Sequence, residues 1–535
     1  MTGTWTTWAA DQPSLGRSTL GMLESIVGPL TPAAAAAIET ARLQPSALPE
    51  SARTRLVAAL GGDSVLVDDR SRAEHSGGQA YADIVRRRHG DASAAPDAIL
   101  LPADAADVAR ALEICSEESV AVVPWGGGTS VVGGLDSVRG QCVAVAALDL
   151  RKLDQLVEVD AQSRIATFQP GIRTPDAEAA LAAHGLTLGH VPQSYERASI
   201  GGYVVTRSAG QASSGYGRID DLVVGLRLAT PMGELVLPAL PGSAAGPDLR
   251  RLVLGSEGTL GVVTEVTLRV RPQPVERHYE GWMLPSWEQG VQTLRTLAQR
   301  RDHPDITRLS DQVETQISLS LGGSGGVTKR LLSAYLRRRH VADGCLVIVG
   351  FEGDADDVHH RRRITKRVLR DAGGVSLGTS AGRAWEHGRF SGPRMRDSML
   401  DAGVLAETLE TANTWTGLSA TYDAVRSALE SSLGRAVVGC HVSHLYETGA
   451  SLYFTVLAAA DPGREIEQWA AAKRAANDAI VRTGATITHH HAVGTAHRDH
   501  LAAEIGDVGV AALKAVKARL DPAGILNPGK LIPTG

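Results

Sequence analysis

The chain has 535 residues, of which 43% are hydrophobic and 21% are charged, and its net charge at pH 7 is -5. This length predicts two or more domains with substantial cores, and the slightly negative charge argues against nucleic acid as a partner. The four cysteines are scattered without a CxxC pair, which argues against a disulfide framework and is typical of a protein of the reducing cytoplasm.

The N-terminal segment, residues 1–95, is predicted to be a helical extension. The stretch LTPAAAAAIETARL opens with Thr31 and Pro32, a suitable N-cap and first helical residue, and PESARTRLVAAL repeats this pattern. No basic start precedes an apolar run, and no window approaches about 18 uncharged apolar residues. We therefore expect no export signal, no membrane span and a cytoplasmic location.

Residues 96–275 are predicted to form an α+β cofactor domain. Their first part alternates strand, helix and strand before a glycine cluster. Short β-rich runs separated by Gly and Pro follow, namely RIATFQPGI, LVVGLRLATPMGELV and GVVTEVTLRVRP.

The glycine cluster PWGGGTSVVGG follows the apolar run VAVV directly. Glycine permits positive φ and close backbone approach, so successive N–H groups, helped by the Thr129 and Ser130 hydroxyls, can converge on phosphate oxygens. The loop is neither a Walker A loop, because it lacks the lysine, nor a GxGxxG dinucleotide turn. Two later segments are also rich in glycine and hydroxyls, so we infer one extended ligand that contacts all three.

Residues 276–480 are predicted to form a second α+β domain. Strands such as GCLVIVGFEG and ASLYFTVLAAA are mixed with amphipathic helices such as DPGREIEQWAAAKRAANDAIVRTG. Two basic runs, RRRHVAD and HHRRRITKRVLRD, are interpreted as solvated helix faces. The last segment, residues 481–535, contains the triplet THHHAVG and a helix that stops at Asp521 and Pro522, and it is expected to complete the active site.

The segments PWGGGTSVVGG, SIGGYVVTRSAG, GYGRIDDLV and GSEGTLGVVTEVTLRVRP resemble the FAD-binding domain of the vanillyl-alcohol oxidase, or PCMH-type, flavoproteins. The resemblance implies an α+β fold in which a two-subdomain FAD-binding domain precedes an α+β substrate (cap) domain. Because no histidine lies in the first loop, we expect FAD to be bound non-covalently. The residues assigned by this resemblance as FAD neighbours are Pro124, Gly126, Gly127, Gly128, Thr129, Ser130, Ser199, Gly202, Thr206, Glu257, Gly258 and Val263.

The C-terminal half of the chain is compared with two branches of this family. The 2-hydroxyacid dehydrogenases carry HxGDGNxH and GEHGIG segments, whose two histidines and glutamate resemble a divalent-metal site. Aligned with CHVSHLYETGASLYFTV and HHHAVG, the first histidine is kept as His441, the second becomes Tyr453 and the glutamate becomes His490. A hard cation would lose its carboxylate, so we predict no metal, although zinc could still accept imidazoles from His441 or His444.

Almost the whole chain resembles the other branch, the alkyldihydroxyacetonephosphate synthases. The resemblance runs from WTTWAADQ through DITRLSDQ and MRDSMLDAGVLAET to THHHAVG. His490 is the expected base, with an ordinary histidine pKa of about 6.5. Tyr453 is expected to donate a proton to the leaving oxygen or to share the proton with the histidines. Arg396 is expected to bind the substrate phosphate, and Arg308 is expected either to assist it or to orient the flavin end. The catalytic residues implied by the resemblance are Tyr453, His489, His490, His491, Arg396 and Arg308.

This resemblance implies that the acyl chain of acyl-dihydroxyacetone phosphate is exchanged for a fatty alcohol without net redox change. The partners are then a lipid phosphate and a fatty alcohol, and a homodimer with peripheral membrane contact is implied as well. The alternative function is an FAD-dependent dehydrogenase of 2-hydroxyacids of the D-lactate and glycolate type. A third hypothesis is a flavin-binding protein without turnover.

Overall fold

The computed structural model describes residues 5–9, 13–321 and 327–533. Parts of the predicted segments lie outside the described residues, including the last three residues of the motif WTTWAADQ. These parts are residues 1–4, 10–12, 322–326 and 534–535.

The described helices, in chain order, are α1 (Arg17–Val27), α2 (Glu50–Leu60), α3 (Asp69–Glu74), α4 (Tyr81–Arg88), α5 (Ala105–Glu117), α6 (Thr174–Ala182), α7 (Ile200–Thr206), α8 (Ser213–Tyr216), α9 (Ile219–Leu222), α10 (Arg250–Val253), α11 (Trp287–Ala298), α12 (Gln312–Leu321), α13 (Val327–Arg338), α14 (Ala355–Asp371), α15 (Gly378–Gly388), α16 (Gly392–Asp401), α17 (Leu418–Leu433), α18 (Glu465–Arg482) and α19 (Leu501–Leu520). The described strands are β1 (Val65–Leu66), β2 (Ala98–Leu100), β3 (Val120–Trp125), β4 (Ala144–Asp149), β5 (Leu156–Asp160), β6 (Ile165–Phe168), β7 (Leu186–Thr187), β8 (Val223–Thr230), β9 (Gly233–Leu237), β10 (Val262–Arg269), β11 (Arg271–Pro272), β12 (Glu276–Leu284), β13 (Ile306–Ser310), β14 (Cys345–Gly353), β15 (Val375–Leu377), β16 (Val404–Thr414), β17 (Ala436–Tyr446) and β18 (Gly449–Ala459).

The first sheet has the strand order β1-β2-β4-β3. Strands β2, β4 and β3 run parallel, whereas β1 is antiparallel to β2. Strand β4 is buried along its whole length, as expected for a parallel strand covered on both faces. Helix α5 packs on this sheet through Val108 and Leu112. The first glycine loop therefore begins at the carboxyl end of a parallel strand, where ligands commonly bind in such sheets.

The second sheet is antiparallel and has the order β5-β6-β10-β8-β9. Its core includes Leu181 of α6 and Val204 of α7, packed with Leu226 and Val266 from the two central strands. The second glycine loop leads into α7, and the third leads into β10. The two sheets thus bring all three glycine-rich loops to one region.

The third sheet has seven strands in the order β15-β12-β14-β13-β17-β18-β16. Helices α11, α14, α17 and α18 contact it, and its core contains Trp282, Phe351 and Phe454. Tyr453 of β18 pairs with His441 of β17 on one side and with Glu410 of β16 on the other. Residues directly opposite each other in paired strands share a face, so these three side chains lie together.

The end of the chain returns to the first sheet. Leu526 forms a parallel bridge with Val122, and the Asn527 side-chain amide donates to the carbonyls of Gly134, at 3.2 Å, and Glu257, at 2.7 Å. The tail therefore fastens the first and third glycine loops together.

The helix predicted from LTPAAAAAIETARL is wrong. Residues 31–37 form no helix, and only Ile38–Thr40 makes a 3-10 turn. The N–H of Ala33 donates to the carbonyl of Asp401 at 3.1 Å, and that of Ala36 to Arg88 at 2.9 Å. Because distant segments satisfy these donors, tertiary hydrogen bonds outweigh the helix propensity of alanine.

Most other predicted elements are confirmed, including α2, α18, β14 and β18. Helix α19 ends at Leu520, directly before the predicted stop at Asp521, and it is interrupted at Gly506. The N-terminal segment is not purely helical, because its strand β1 joins the first sheet. None of the described helices combines the length and the apolar character that a membrane crossing requires.

Candidate active site

A cavity of about 560 Å³, here called the main cavity, lies between the glycine loops and the seven-stranded sheet. All twelve residues predicted to neighbour FAD line it. The predicted catalytic residues that also line it are Tyr453, His490, His491, Arg308 and Arg396. The structure thus brings the predicted cofactor loops and five of six predicted catalytic side chains to one cavity.

The glycines of the loops allow the close packing that forms the wall of this cavity. A Cβ on Gly126 would lie 2.2 Å from Oγ of Ser199, and one on Gly127 would lie 2.0 Å from the carbonyl oxygen of Arg197. Gly258 has a φ of +74°, and a Cβ there would lie 2.8 Å from Cγ of Pro124 in the first glycine loop. Side chains at these positions would force the loops apart.

Polar atoms in the cavity wall fit a large cofactor. The side-chain oxygens Oε1 of Gln211 and Oδ1 of Asn527 are buried and have no hydrogen-bond partner among the described residues. Buried polar atoms are costly unless they are paired, so such atoms in a cavity wall indicate a ligand. Together with the Thr129 and Ser130 hydroxyls and the glycine backbone, they match the donors and acceptors that FAD requires.

The histidine triplet is held in place by Glu410, a buried carboxylate on β16. Glu410 accepts hydrogen bonds from the backbone N–H groups of His489 at 2.5 Å, His490 at 3.2 Å and His491 at 2.9 Å. It also accepts from the Thr488 hydroxyl at 2.7 Å. Burial by itself would raise the pKa of Glu410, but the neighbouring histidines and the Thr488 hydroxyl hold it well below its usual range.

Tyr453 lies between two imidazoles. Its ring is stacked with that of His441, at 4.8 Å between centroids, and with that of His490, at 5.9 Å. The phenol donates to Oγ1 of Thr408 at 3.0 Å. Burial raises the pKa of Tyr453 to about 12, so the phenol keeps its proton at neutral pH.

Arg308 and His441 share one carboxylate, that of Glu314. Arg308 donates to Oε1 of Glu314, and Nδ1 of His441 lies 3.1 Å from the same oxygen. Although burial would raise the pKa of Glu314, Arg308 and His441 lower it to about 2. Glu314 is therefore ionised and neutralises the positive charge of Arg308.

The guanidinium of Arg396 is only partly engaged. It donates to the backbone and side-chain oxygens of Gln79, at 3.0 and 2.8 Å, and lies 3.6 Å from Oε1 of Glu407. Its Nε is buried without a partner among the described residues. One donor of Arg396 thus remains for a ligand.

Arg389 is a further cation of the cavity wall. Its guanidinium lies over the rings of Trp385, at 5.5 Å, and Phe390, at 4.8 Å. Its Nε and Nη1 are buried without hydrogen-bond partners, and no carboxylate in the described part of the chain pairs with it. Arg389 can therefore contribute an uncompensated positive charge to an anionic ligand.

The prediction of an ordinary pKa near about 6.5 for His490 is wrong. Burial lowers the pKa of His490 to about 3, despite the opposing influence of Glu410. Burial also lowers the pKa of His441 and of His491. These imidazoles are therefore neutral at pH 7, and each can both give and accept a proton.

His489 is the predicted catalytic residue that does not line the main cavity. It borders a second cavity of about 690 Å³, together with Tyr446 and Arg218, and His490 borders both cavities. The Tyr446 hydroxyl lies 2.6 Å from Nε2 of His489, whose Nδ1 lies 2.9 Å from Nδ1 of His490. His489 thus acts on the main cavity through His490.

His444, His489 and His490 each offer a ring nitrogen, and these nitrogens lie within 4.8 Å of one another. Most of them already have hydrogen-bond partners, because Nε2 of His444 lies 3.1 Å from the carbonyl of Gly210 and its Nδ1 lies 2.9 Å from the Ser443 hydroxyl. A nitrogen that donates to a carbonyl has no lone pair for a metal. The geometry therefore favours hydrogen bonding in this cluster, and the absence of a metal stays a prediction.

Several residues of this site were missed by the sequence analysis. Glu410 carried no clear signal, because its strand LAETLETANT is rich in Glu, Thr and Asn and contains a second glutamate, Glu407. Tyr446 lies within the quoted motif YETGA, but nothing in the motif indicates its contact with the triplet. Glu314 and Arg389 carried no signal that distinguishes them from surface charges.

Two family models match the chain: residues 96–237 match the FAD binding domain, and residues 273–531 match the C-terminal domain of FAD linked oxidases. The fold and the cavity therefore define an FAD-dependent enzyme.

The chain is 30% identical over 505 residues to alkyldihydroxyacetonephosphate synthase of Trypanosoma brucei brucei, and the aligned region covers 92% of this chain and 82% of that protein. It is 31% identical over 483 residues to the synthase of Dictyostelium discoideum, with 88% and 79% covered. A solved structure of alkyldihydroxyacetonephosphate synthase matches with a TM-score of 0.84 and 27% identity over 98% of this chain and 99% of that one. The chain belongs to the alkyldihydroxyacetonephosphate synthase family.

Proposed function

We propose that the protein exchanges the acyl chain of acyl-dihydroxyacetone phosphate for a fatty alcohol, as an FAD-dependent alkylglycerone-phosphate synthase. The observation that carries this proposal is the lining of one cavity by Tyr453, His490 and His491 together with two arginines and the glycine loops. Bound FAD supplies a reactive ring system that allows substituents at one carbon to be exchanged without net redox change.

Proton transfer in the main cavity is assigned to His490 and Tyr453. The exchange converts an ester and an alcohol into an ether and a carboxylate, so one proton is released in each turnover. A neutral His490 can accept or donate a proton, and the protonated phenol of Tyr453 can donate to a leaving oxygen. The stacking of the two rings keeps both groups beside the same substrate atoms.

The substrate phosphate is assigned to Arg396 with Arg308 assisting, and Arg389 is added to them. Arg308 is neutralised by Glu314, whereas Arg396 keeps an unpaired Nε and Arg389 has two unpaired nitrogens. Arginine binds phosphate oxygens through its planar fork of N–H donors. Arg396 and Arg389 therefore supply the charge, and Arg308 completes the polar wall.

The alternative, a 2-hydroxyacid dehydrogenase, is less well supported. The carboxylate expected of a metal site in that branch is replaced by His490. Glu410, which contacts the triplet, already accepts four hydrogen bonds and is committed to the backbone. A hydroxyacid-binding metal would thus lack its hard ligand.

We further propose a cytoplasmic homodimer that touches membranes peripherally and holds FAD without a covalent bond. Non-covalent binding is supported by the loop at residues 124–134, which contains neither histidine nor cysteine. Membrane contact is supported by Ile505 and Val508, which are 39% and 84% exposed. The division at residues 95, 275 and 480 is proposed as the domain organisation.

The proposed activity is tested by incorporation of a labelled fatty alcohol into ether product. His490→Gln and Tyr453→Phe should abolish incorporation while the FAD absorbance is retained. His360→Gln is the matched control, because that histidine is 53% exposed and lies outside the cavity lining, and it should leave the rate unchanged. Rapid anaerobic bleaching of the flavin by a 2-hydroxyacid, with no ether product, would show the alternative function instead.

A further inference from the structure

The proposed exchange takes a proton from the alcohol and supplies one to the leaving carboxylate, and both transfers occur in a cavity whose histidines are buried. His490 borders both cavities, and Tyr446 and His489 connect it to the second one. Hydrogen bonds run from Tyr446 through His489 to His490, and Arg218 borders the second cavity with Tyr446. The direction of each hydrogen bond along this path follows from which atoms can donate.

Arg218 borders the second cavity together with Tyr446, and because a guanidinium has N–H donors and no acceptor, it favours the phenol oxygen, not the phenol proton, on its side of the ring. The Tyr446 proton is then free to be donated to Nε2 of His489, at 2.6 Å. Because His489 is neutral, its proton lies on Nδ1 and is donated to Nδ1 of His490, at 2.9 Å. The opposite direction would turn the Tyr446 proton away from His489 and toward the second cavity, where the positive charge of Arg218 opposes it.

We propose that Arg218 and Tyr446 are positioning residues that fix the proton of His489 on Nδ1 and thereby that of His490 on Nε2. No hydrogen bond joins Nε2 of His490 to another described residue, and His490 lines the main cavity. In the resting enzyme this nitrogen is a proton donor to the substrate. It becomes an acceptor after the chain of hydrogen bonds has reversed.

The second cavity gives this relay an outlet. Arg207 and Arg251 border that cavity, and their side chains are 51% and 57% exposed. A space of about 690 Å³ whose lining includes three arginines, Arg207, Arg218 and Arg251, accommodates water molecules. A proton arriving at Tyr446 can therefore pass to water there, away from the lipid substrate.

The proton balance of the relay closes in both directions. When Nε2 of His490 gives its proton to the substrate side, Nδ1 takes one from His489, Nε2 of His489 takes the Tyr446 proton, and water protonates Tyr446. Return of a proton from the main cavity reverses each of these bonds. Every N–H or O–H bond that breaks is matched by one that forms. One proton passes inward to the leaving carboxylate and the alcohol's proton passes outward to water, so the proton released overall leaves with the fatty acid, which ionises in water.

The charged neighbours of the relay support this arrangement. Asp220 pairs with Arg218 at 3.1 Å and keeps the guanidinium beside Tyr446. Burial raises the pKa of Tyr446 to about 12, so its oxygen carries a proton, while Arg218 opposes this rise. His444 lies 4.9 Å from His489 between ring centroids. Glu410 holds the backbone of the triplet, and its Oε2 lies 3.6 Å from Nδ1 of His490, farther than the 2.9 Å between that nitrogen and Nδ1 of His489.

The relay is tested first without turnover, by ¹⁵N NMR of the FAD-bound enzyme labelled in histidine. Protonated and unprotonated ring nitrogens have separate ¹⁵N shifts, and His489→Ala and His490→Ala identify the signals. We expect the proton on Nδ1 of His489 and on Nε2 of His490, and Tyr446→Phe should move the His489 proton toward Nε2. A wild-type His489 protonated on Nε2, or no change in Tyr446→Phe, would overturn the inference.

Turnover provides the second readout. Tyr446→Phe should lower kcat about 100-fold with KM unchanged and FAD bound, as expected from loss of acid–base catalysis. Arg218→Gln should shift the same signals in the same direction, and Tyr335→Phe, the same change at an exposed tyrosine, should alter neither readout. If Tyr446→Phe does not fold, the wild-type spectrum alone decides. The inference rests on the proposed function only for the number of protons transferred in each turnover. An enzyme that shows these tautomers but forms no ether product would refute the proposed activity and leave the relay intact.

Discussion

Replacing Glu410 by glutamine is expected to release the histidine triplet. The carboxylate accepts four hydrogen bonds from Thr488, His489, His490 and His491, and an amide has only one oxygen to offer them. If that oxygen keeps the three bonds made by Oε1, the NH₂ group faces the N–H of His489. One lost bond to a charged group and one unsatisfied buried donor together destabilise the local structure by about 3–5 kcal/mol.

Hydrogen exchange of the backbone amides measures this loss directly. Because about 1.4 kcal/mol corresponds to a tenfold change, exchange at residues 489–491 should accelerate by more than about 100-fold in Glu410→Gln. Glu430→Gln is the control, since this glutamate is 42% exposed and its ion pair among the described residues is with Arg426 on the same helix. Unchanged exchange in the triplet, with FAD bound, would refute the argument that Glu410 holds it.

Three further outcomes follow from the same geometry. Gly127→Ala should lose most bound FAD, measured by absorbance of the purified protein, because the new Cβ would lie 2.0 Å from a carbonyl oxygen; Gly242→Ala, with nothing within 4 Å, should retain it. Arg389→Gln should raise KM for the phosphate substrate by about tenfold or more with little change in kcat, and an unchanged KM would exclude Arg389 from phosphate binding. His490 has a pKa of about 3 in the folded protein and near 6.5 when unfolded, so its contribution to stability is present above pH 6.5 and is lost as the pH falls from there toward 3. Denaturation at several pH values, with His490→Gln for comparison, checks this sign, and ether formation should show no inflection near 6.5 that depends on His490.

The cofactor side of the site could be predicted from the sequence because its requirements are local. Gly126 and Gly127 are needed where two loops pack closely, and the strand before them places the loop at a sheet edge. Such positions leave a visible signature of glycine and hydroxyl residues. The same is true of the triplet, whose three adjacent imidazoles are conspicuous in any sequence.

The partners of the triplet could not be predicted in this way. Glu410 reaches it from about 80 positions earlier in the chain, and Tyr446 from 43 positions earlier. The pairing of β16 with β18 sets which face Glu410 occupies, and a shift by one residue would turn it away. For this reason Glu410 and Tyr446 were missed although both lie in quoted or regular segments.

The sequence by itself determined the glycine loops, most helices and strands, and the identity of the histidines, tyrosine and arginines of the site. Only the tertiary structure decided that His489 belongs to a second cavity, that Arg389 joins the main one, and that residues 31–37 are not helical. It also decided the protonation of His490, because burial sets its pKa. The physical reason is that solvent exclusion and hydrogen-bond partners depend on groups brought together by folding, whereas loop geometry depends on the residues of the loop itself.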